Sequence, residues 1–360
     1  MRVVRGRVDS IDLKALAAEI IAINCDVAIV RVPSHCASRI AGLARWALPV
    51  LHADTLVHYQ CDLTRLEAKP LRNGDLIFAL ASEADLPQLR EMIAITFRDY
   101  ASHYQANPLF GAEKILAGYQ QWAENHLTDP DCDLWTARRG SRLVAFAACR
   151  NDLHRGESEG ILYGVSPQAA GGGLYGDLIR YTQAEAKSRG LSVMKVSTQV
   201  GNFAVQKVWA REGFYLFEAL DTFHINALLF SGETAIDRTV TFDSHTVRKF
   251  SEVSGDANPI HLDDVAARAA GFPMRIAHGA MAASEFSRIL GTEVPGPGTV
   301  FGNLQLAFLQ PLLVDHPYHL QMRIPGGIRA GAMKAVMTIR SLESGGGLCV
   351  LARSDIFLRH

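Results

Sequence analysis

The sequence lacks three features, each of which would have pointed to a class of protein. Its six cysteines form no Cys-x-x-Cys pair and no Cys/His cluster at zinc spacing. No apolar run is long enough to span a membrane, and the first 13 residues are charged rather than apolar. The formal net charge is only −1, which argues against a nucleic-acid footprint. We therefore expect a cytoplasmic protein with reduced cysteines, no metal and no permanently bound cofactor.

The chain is long enough for two or three domains, because it has 360 residues. Its first two thirds alternate between strand-like and helix-like periodicity, which predicts an α/β region. Strands are predicted at residues 26–32, 55–59, 76–80, 134–138, 142–149, 159–165 and 193–198, and helices at residues 84–97, 113–126, 174–188 and 281–290.

An acidic residue and a histidine stand five residues apart in the last third of the chain, in the run from Ser254 to His261. Pro259 restricts the backbone of Asn258, so the side chains of Asp256 and His261 can address one small volume. Together they can bind and polarise a water, which is what adding water to an activated double bond requires. The same residues also suit an ordinary turn with structural histidines.

A second motif, from Ile276 to Gly279, precedes the predicted helix. If Gly279 opens that helix, its free N–H and the positive end of the helix dipole can stabilise charge on a carbonyl oxygen.

From Thr239 onward the chain resembles the MaoC-like (R)-specific enoyl-CoA hydratases, through Ser-Gly-Asp-x-Asn-Pro-aliphatic-His and Ile-Ala-His-Gly. The resemblance implies a hotdog domain over residues 236–360 that acts as a homodimer on acyl-CoA thioesters. It also implies that Asp256 and His261 activate water, that Asn258 belongs to the catalytic motif, that the Gly279 amide binds the thioester oxygen, and that Ser287 lies near that site.

A glycine-rich turn lies between the predicted strand at residues 159–165 and the helix at residues 174–188. A strand, such a turn and a helix N-terminus form an anion site suited to pyrophosphate. Taken alone, the three glycines also suit a flexible loop.

This turn and its surroundings resemble the CoA-binding signature of the GNAT N-acyltransferases, with an Asn-x-x-Ala…Gly-Phe ending that starts at Asn202. The resemblance implies a GNAT domain over residues 74–230, in a fold of mixed α/β class with a degenerate GNAT-like half at residues 1–73. It also implies a CoA site whose residues are Val165, Gln168, Gly171, Gly173, Leu174 and Asn202.

The closest likeness is to acyltransferases that modify nucleotide-linked amino sugars. It rests on softer features, among them His103 and Tyr104, which we expect to bind the acceptor, although either residue also suits ordinary packing. One residue departs from the family. Trp209 stands where a tyrosine commonly protonates the departing thiolate, and an indole is no useful acid near neutral pH. Tyr175 and Tyr215 are candidate substitutes.

The sequence thus predicts a bifunctional enzyme. One domain hydrates a short-chain 2-enoyl-CoA such as crotonyl-CoA, and the other transfers the 3-hydroxyacyl product to an amine, with a nucleotide-linked amino sugar as the expected acceptor. Two alternatives remain open at this point: a hydratase with an inactive GNAT-like scaffold, and an acyl-CoA-binding protein without catalysis.

Overall fold

Two β-sheets organise the chain in the computed structural model, which describes residues 1–97, 100, 102–343 and 346–358. The parts of the predicted domains at residues 98–99, 101, 344–345 and 359–360 lie outside the described residues. Nine strands form the first sheet and six form the second. The mixed α/β region followed by a hotdog domain is confirmed.

The first sheet has the strand order β1-β2-β9-β3-β8-β7-β6-β5-β4. Only two neighbouring pairs are parallel, β1 with β2 and β7 with β8. Strands from the predicted N-terminal half and from the predicted GNAT domain therefore share one sheet. Its strands are β1 (Val3–Arg7), β2 (Val27–Pro33), β3 (Val50–Asp62), β4 (Leu76–Leu80), β5 (Cys132–Arg139), β6 (Arg142–Asp152), β7 (Glu157–Val165), β8 (Val193–Gln199) and β9 (Tyr215–Ile225).

The helices of this region agree with the predicted ones to within two residues, and all seven predicted strands are present. Three elements near the N-terminus were not predicted: β1, the first helix, and a 3-10 segment at Ser34–Trp46. Among the described residues, no helix is long and apolar enough to cross a membrane. The helices are α1 (Leu13–Ile23), α2 (Leu86–Phe97), α3 (Ala112–Thr128), α4 (Leu174–Ser188) and α5 (Phe203–Arg211).

Helix α4 owes its position to apolar residues at helical spacing. Leu174, Leu178, Ile179 and Ala186 are all buried against the sheet, as expected for one face of an amphipathic helix. This packing fixes the N-terminus of α4 at the end of β7, where the glycine-rich turn lies.

The second sheet has the order β10-β13-β14-β15-β11, and β12 also pairs with β15. Helix α9 packs on its inner face through Met281, Phe286, Ile289 and Leu290, which gives the helix-in-sheet arrangement of a hotdog. The elements are β10 (Glu233–Thr241), α6 (Ser244–Ser254), α7 (Pro259–Leu262), α8 (Asp264–Ala269), α9 (Gly279–Thr292), β11 (Thr299–Phe301), β12 (Gln305–Phe308), β13 (Pro317–Ile324), β14 (Gly331–Ser341) and β15 (Leu348–Leu358).

The two sheets are joined by a shared apolar core rather than by the connecting segment alone. Leu43 and Leu48 from the first region pack in one buried cluster with Val336 and Leu351 from the second. The guanidinium of Arg353 in β15 donates to the carbonyl oxygens of Ala47 and Ala227. Burial lowers the pKa of Arg353 to about 9. These contacts hold the two regions in a fixed relative placement.

Candidate functional site

The loop that carries Asp256 and His261 is fixed at both ends. Helix α6 ends at Gly255, whose φ of +76° favours glycine. Asn258 then caps the short helix α7, with its side-chain oxygen accepting from the Ile260 N–H at 3.3 Å. The turn predicted from the sequence is therefore present. It orients the side chains of Asp256 and His261.

The hydrogen bond of His261 determines which ring nitrogen can accept a proton. Its Nδ1 lies 2.7 Å from the carbonyl oxygen of Ile276 and must donate, because a carbonyl only accepts. Nε2 is then left with a lone pair, 3.9 Å from the Asp256 carboxylate. That distance is too long for a hydrogen bond, so both groups remain able to hold a water.

His278 positions this pair from the other side. Its Nε2 donates to the backbone carbonyl of Asp256 at 3.0 Å, and its ring stacks on that of His261 with centroids 3.9 Å apart. The sequence motif contained His278, but only the structure shows that it holds Asp256 and His261 in place.

Gly279 is the first residue of α9, and no side chain caps that helix. Its N–H therefore belongs to the amides that have no intrahelical partner. A Cβ at Gly279 would come within 2.8 Å of the Phe308 ring, so the Phe308 ring of β12 packs against this glycine.

Ser287 lies apart from this group within one chain. It is exposed on α9, and the eight residues that separate it from Gly279 amount to about 12 Å of helix. Its predicted position beside the thioester therefore does not follow from the geometry of a single chain.

Among the described residues, two groups of side chains could geometrically surround a metal ion. One is the site itself, Asp256 with His261 and His278. The other is His126, Asp129 and Cys132 at the start of β5. The absence of a metal stays a prediction.

The second candidate site is a cavity of about 670 Å³ in the first sheet. It opens where β7 and β8 separate, since these strands pair only from Glu157 to Gly160 and from Val193 to Val196. In β7, Ile161 is an extra residue between the partners of Cys149 and Ala148, and such a bulge leaves backbone groups out of the ladder.

The glycine-rich turn lies beside this cavity. Gly171 and Gly173 have φ values of +90° and +83°, which require glycine-like freedom. Gly173 is the N-cap residue of α4 and makes no side-chain cap. The side chain of Arg72 lies 3.1 Å from where a Gly173 Cβ would be, so a cation borders the predicted pyrophosphate site.

The other predicted CoA residues lie nearby but differ in what they can offer. Val165 ends β7, and the Gln168 side chain accepts from Arg142. Leu174 is 3% exposed, so its backbone rather than its side chain is available to contact CoA. Asn202 lines the cavity and donates to Thr198 at 3.0 Å.

Trp209 and Tyr175 meet in the wall of the cavity. Burial raises the pKa of Tyr175. Tyr215 is 54% exposed, and its hydroxyl accepts from Gln60. Of the two tyrosines that the sequence offered as substitutes, only Tyr175 lines the cavity.

His103 and Tyr104 also line this cavity. The Tyr104 hydroxyl accepts from Arg5 at 2.9 Å, and His103 pairs with His224 at 2.9 Å. The sequence gave no signal for Arg5, which lines the cavity, or for His224, which is buried and contacts His103, because sheet pairing places both residues.

A further polar chain was also missed. Gln199 joins Tyr100 to Asp54: it accepts from the tyrosine hydroxyl and donates to the carboxylate at 3.4 Å. Asp54 follows an irregularity in the pairing of β3 with β9, and its other carboxylate oxygen is buried without a partner among the described residues. In the sequence, a single aspartate within a strand gave no sign that Asp54 belongs to this hydrogen-bonded chain.

Comparison with known proteins assigns the two regions separately. The family described as MaoC like domain matches residues 231–345, and the acetyltransferase (GNAT) family matches residues 90–214. Over 117 residues the chain is 32% identical to the (R)-specific enoyl-CoA hydratase of Aeromonas caviae, covering 32% of this chain and 87% of that protein. It is 44% identical over 81 residues to the 3-hydroxybutyryl-CoA dehydratase of Methylorubrum extorquens, covering 22% of this chain and 52% of that protein.

Solved structures match each region. The (R)-hydratase from A. caviae matches at 28% identity with a TM-score of 0.32, covering 36% of this chain and 98% of that one. A GCN5-related N-acetyltransferase from Sphaerobacter thermophilus matches at 14% identity with a TM-score of 0.40, covering 55% of this chain and 59% of that one.

The family matches confirm the predicted pair of enzyme classes, with acyl-CoA as the substrate of both. The chain belongs to the MaoC-like enoyl-CoA hydratases through its C-terminal region, and it carries a GNAT-family acyltransferase domain ahead of it.

Proposed function

We propose that the two domains act in sequence on one acyl group. The C-terminal domain hydrates a short-chain 2-enoyl-CoA such as crotonyl-CoA, and the N-terminal domain transfers the resulting 3-hydroxyacyl group to the amine of a nucleotide-linked amino sugar. The observation that carries this proposal is the fixed joining of the two sites in one chain through a shared core, because the product of one has the form of the donor for the other.

In the hydration step, Asp256 and His261 hold the attacking water. The oxygen of water bonds to C3 as one of its protons moves to this pair, and a proton is returned to C2. Negative charge on the thioester oxygen is stabilised by the Gly279 N–H at the start of α9. The free lone pair on His261 Nε2 supports this assignment, since a protonated or differently hydrogen-bonded ring could not take up the proton.

In the transfer step, the amine nitrogen attacks the thioester carbonyl and the carbon–sulfur bond breaks. The amine loses a proton, and the departing CoA thiolate gains one. We assign the backbone at the β7 bulge to the carbonyl oxygen and Tyr175 to the sulfur. Tyr175 is assigned this role because it lines the cavity beside Trp209. Its raised pKa keeps the phenol protonated but also makes it a weak acid.

The CoA pyrophosphate is assigned to the turn from Gly171 to Gly173. Unpaired amides at the N-terminus of α4 and the neighbouring Arg72 favour an anion there.

The hydratase domains are proposed to pair as a homodimer. At the β11 and β12 edge of the second sheet, Val300, Leu304 and Phe308 are exposed apolar residues, and an open edge with such residues favours pairing. Because Phe308 packs against Gly279, pairing across this edge would enclose the hydratase site. Light scattering should give twice the chain mass of 39.3 kDa. A monomer with full hydratase activity would contradict the dimer.

A second function has one observation in its favour. Trp209 replaces the usual tyrosine, and its indole Nε1 is buried without a partner among the described residues. If Tyr175 does not compensate, the N-terminal domain would serve only as a scaffold for the hydratase. Mass spectrometry of products from crotonyl-CoA and a panel of nucleotide-linked amino sugars separates the two functions. An acylated sugar supports the coupled enzyme, and hydration without any acylated amine supports the scaffold.

A further inference from the structure

The lining of the transferase cavity includes two arginines with no carboxylate partner among the described residues. Arg5 in β1 and Arg31 in β2 both line the cavity, and neither makes an ion pair within the described part of the chain. Their neighbour Arg7 differs, since it is neutralised by Asp9 and Glu218. Arg5 and Arg31 thus leave positive charge facing the cavity.

His103, which lines the same cavity, is a hydrogen-bond donor. The side-chain oxygen of Asn107 accepts from the Leu109 N–H at 3.1 Å, so that its amide nitrogen faces His224. That nitrogen donates to His224 Nδ1 at 3.1 Å. His224 Nε2 must then carry a hydrogen and donate to His103 Nδ1 at 2.9 Å.

This chain leaves the other nitrogen of a neutral His103 protonated. Both histidines are held neutral near pH 7. Burial is the first cause for each, and it lowers the pKa of His103 to about 3 and of His224 to about 4, with the positive charge of Arg5 contributing to both shifts. His103 Nε2–H therefore donates, and His103 cannot act as a base for the acceptor amine.

Arg5, Arg31 and His103 therefore all present donors, two of them cationic. Lys114, which also lines the cavity, adds a further cation. A ligand bound here must present several acceptor atoms and negative charge. Phosphate oxygens meet both requirements, and arginine binds them in a bidentate manner.

We propose that Arg5 and Arg31 bind the diphosphate of the acyl acceptor, with His103 donating to the same ligand. This inference rests on the proposed acyl transfer and assigns an acceptor-binding role to strands β1 and β2, which the GNAT-matched residues 90–214 do not include.

The position of the arginines fits a diphosphate that lies apart from the reacting amine. Strand β2 is three places from β8, where the gap to β7 opens, and three spacings between strands amount to about 14 Å. An arginine side chain spans part of that distance, and a sugar ring spans more of it. The CoA pyrophosphate is not a competing occupant, because its proposed site is at the N-terminus of α4, beyond β7.

The test measures diphosphate binding without requiring turnover. Calorimetric titration of the full chain with uridine diphosphate and with inorganic pyrophosphate, in saturating CoA to fill both CoA sites, should show one site. Arg31→Met and Arg5→Met should each weaken it by about tenfold or more, since a hydrogen bond to a charged group contributes about 1.5–3 kcal/mol. Arg31→Lys should lose less, because it keeps the charge.

A matched control is Arg65→Met, because Arg65 is an exposed arginine whose side chain is 89% accessible and which does not line the cavity. It should bind the diphosphate as the wild type does. Inorganic phosphate and glucosamine 6-phosphate should bind at least tenfold more weakly than uridine diphosphate. Equal binding of these monophosphates would overturn the diphosphate assignment.

Failure of this inference differs from failure of the proposed function. Unchanged diphosphate binding in the Arg5→Met/Arg31→Met double variant, or no binding by the wild type, overturns the inference even if acyl transfer occurs. Arginine-dependent diphosphate binding with no acylated product from any amino sugar leaves the inference standing and refutes the proposed transfer.

Discussion

The two sites differ most in how far apart their residues lie in the chain. The hydratase group comes from residues 256–279, held by one loop and the start of α9. The transferase cavity draws on Arg5, Tyr100, Gly160 and Trp209, which only the nine-stranded sheet brings together. A site formed by neighbouring residues can be recognised as a motif, whereas an assembled site depends on strand order.

The sites also use histidine in opposite ways. His261 donates through Nδ1 to a carbonyl, which leaves Nε2 as a proton acceptor. His103 accepts at Nδ1 from His224, which leaves Nε2–H as a donor. The same side chain can thus accept a proton in one site and donates a hydrogen bond in the other, and its hydrogen-bond partner determines which.

The largest expected effect is a loss of hydration without a loss of acyl transfer. Asp256→Asn and His261→Ala should each lower the hydration rate by at least about a hundredfold, because each removes a positioned proton acceptor. Transfer from supplied 3-hydroxybutanoyl-CoA should be unchanged. Absorbance of the enoyl thioester reports hydration, and product mass reports transfer. An equal loss of both activities would show that the sites are not independent.

A substitution in the transferase cavity should affect transfer alone. Tyr175→Phe should lower the transfer rate by roughly tenfold to a hundredfold, since it removes the hydroxyl assigned to the departing sulfur. Hydration should be unaffected. Tyr215→Phe is the matched control, because that tyrosine is exposed and does not line the cavity. If Tyr215→Phe causes the loss and Tyr175→Phe does not, the assignment is reversed.

A smaller effect is expected for CoA binding. Gly173→Val should raise the transferase KM for CoA thioesters by about tenfold, because a side chain there is strained by about 1–2 kcal/mol and obstructs the amides. The hydratase KM should not change. Gly140→Ala tests the strain alone, as Gly140 has a φ of +61° and open space around it in the β5–β6 turn. The same rise in KM for Gly140→Ala would remove the argument for a local phosphate site.

The smallest effect concerns stability against pH. Both histidines of the His103–His224 pair have a pKa in the fold below the unfolded value of about 6.5. Their contribution is complete above that pH and is lost as the pH falls through about 4 and 3, because the unfolded chain takes up protons first. The wild-type Tm should fall between about pH 6.5 and 4.5, and His103→Gln should make that fall shallower. An unchanged slope would contradict the neutral pair.

Most of the fold and the group of residues 256–279 could be predicted from the sequence. The predicted strands and helices end within three residues of the observed ones, except that β3 begins five residues before its predicted start. The motif from Ser254 to His261 lies next to Gly279, because His278 stacks on His261. Strand β1 and helix α1 were missed because neither carried a recognised motif.

The transferase site could be predicted from the sequence only in part. The turn from Gly171 to Gly173 was found because its residues are adjacent. Arg5 and His224 could not be found, because they meet Tyr104 and His103 only when β1, β2 and β9 pair in the sheet. Ser287 was placed by motif spacing alone, and the helix carries it two turns from Gly279.

The most direct test of coupled action is the mass of the acylated product. Full-length protein supplied with crotonyl-CoA and an accepted nucleotide-linked amino sugar should yield mainly the 3-hydroxybutanoyl amide, with acetyl-CoA a poor donor in parallel reactions. A pocket that hydrogen bonds to the 3-hydroxyl would leave polar groups unpaired with donors that lack it. Efficient transfer from acetyl-CoA, or a crotonyl amide as the main product, would contradict the account.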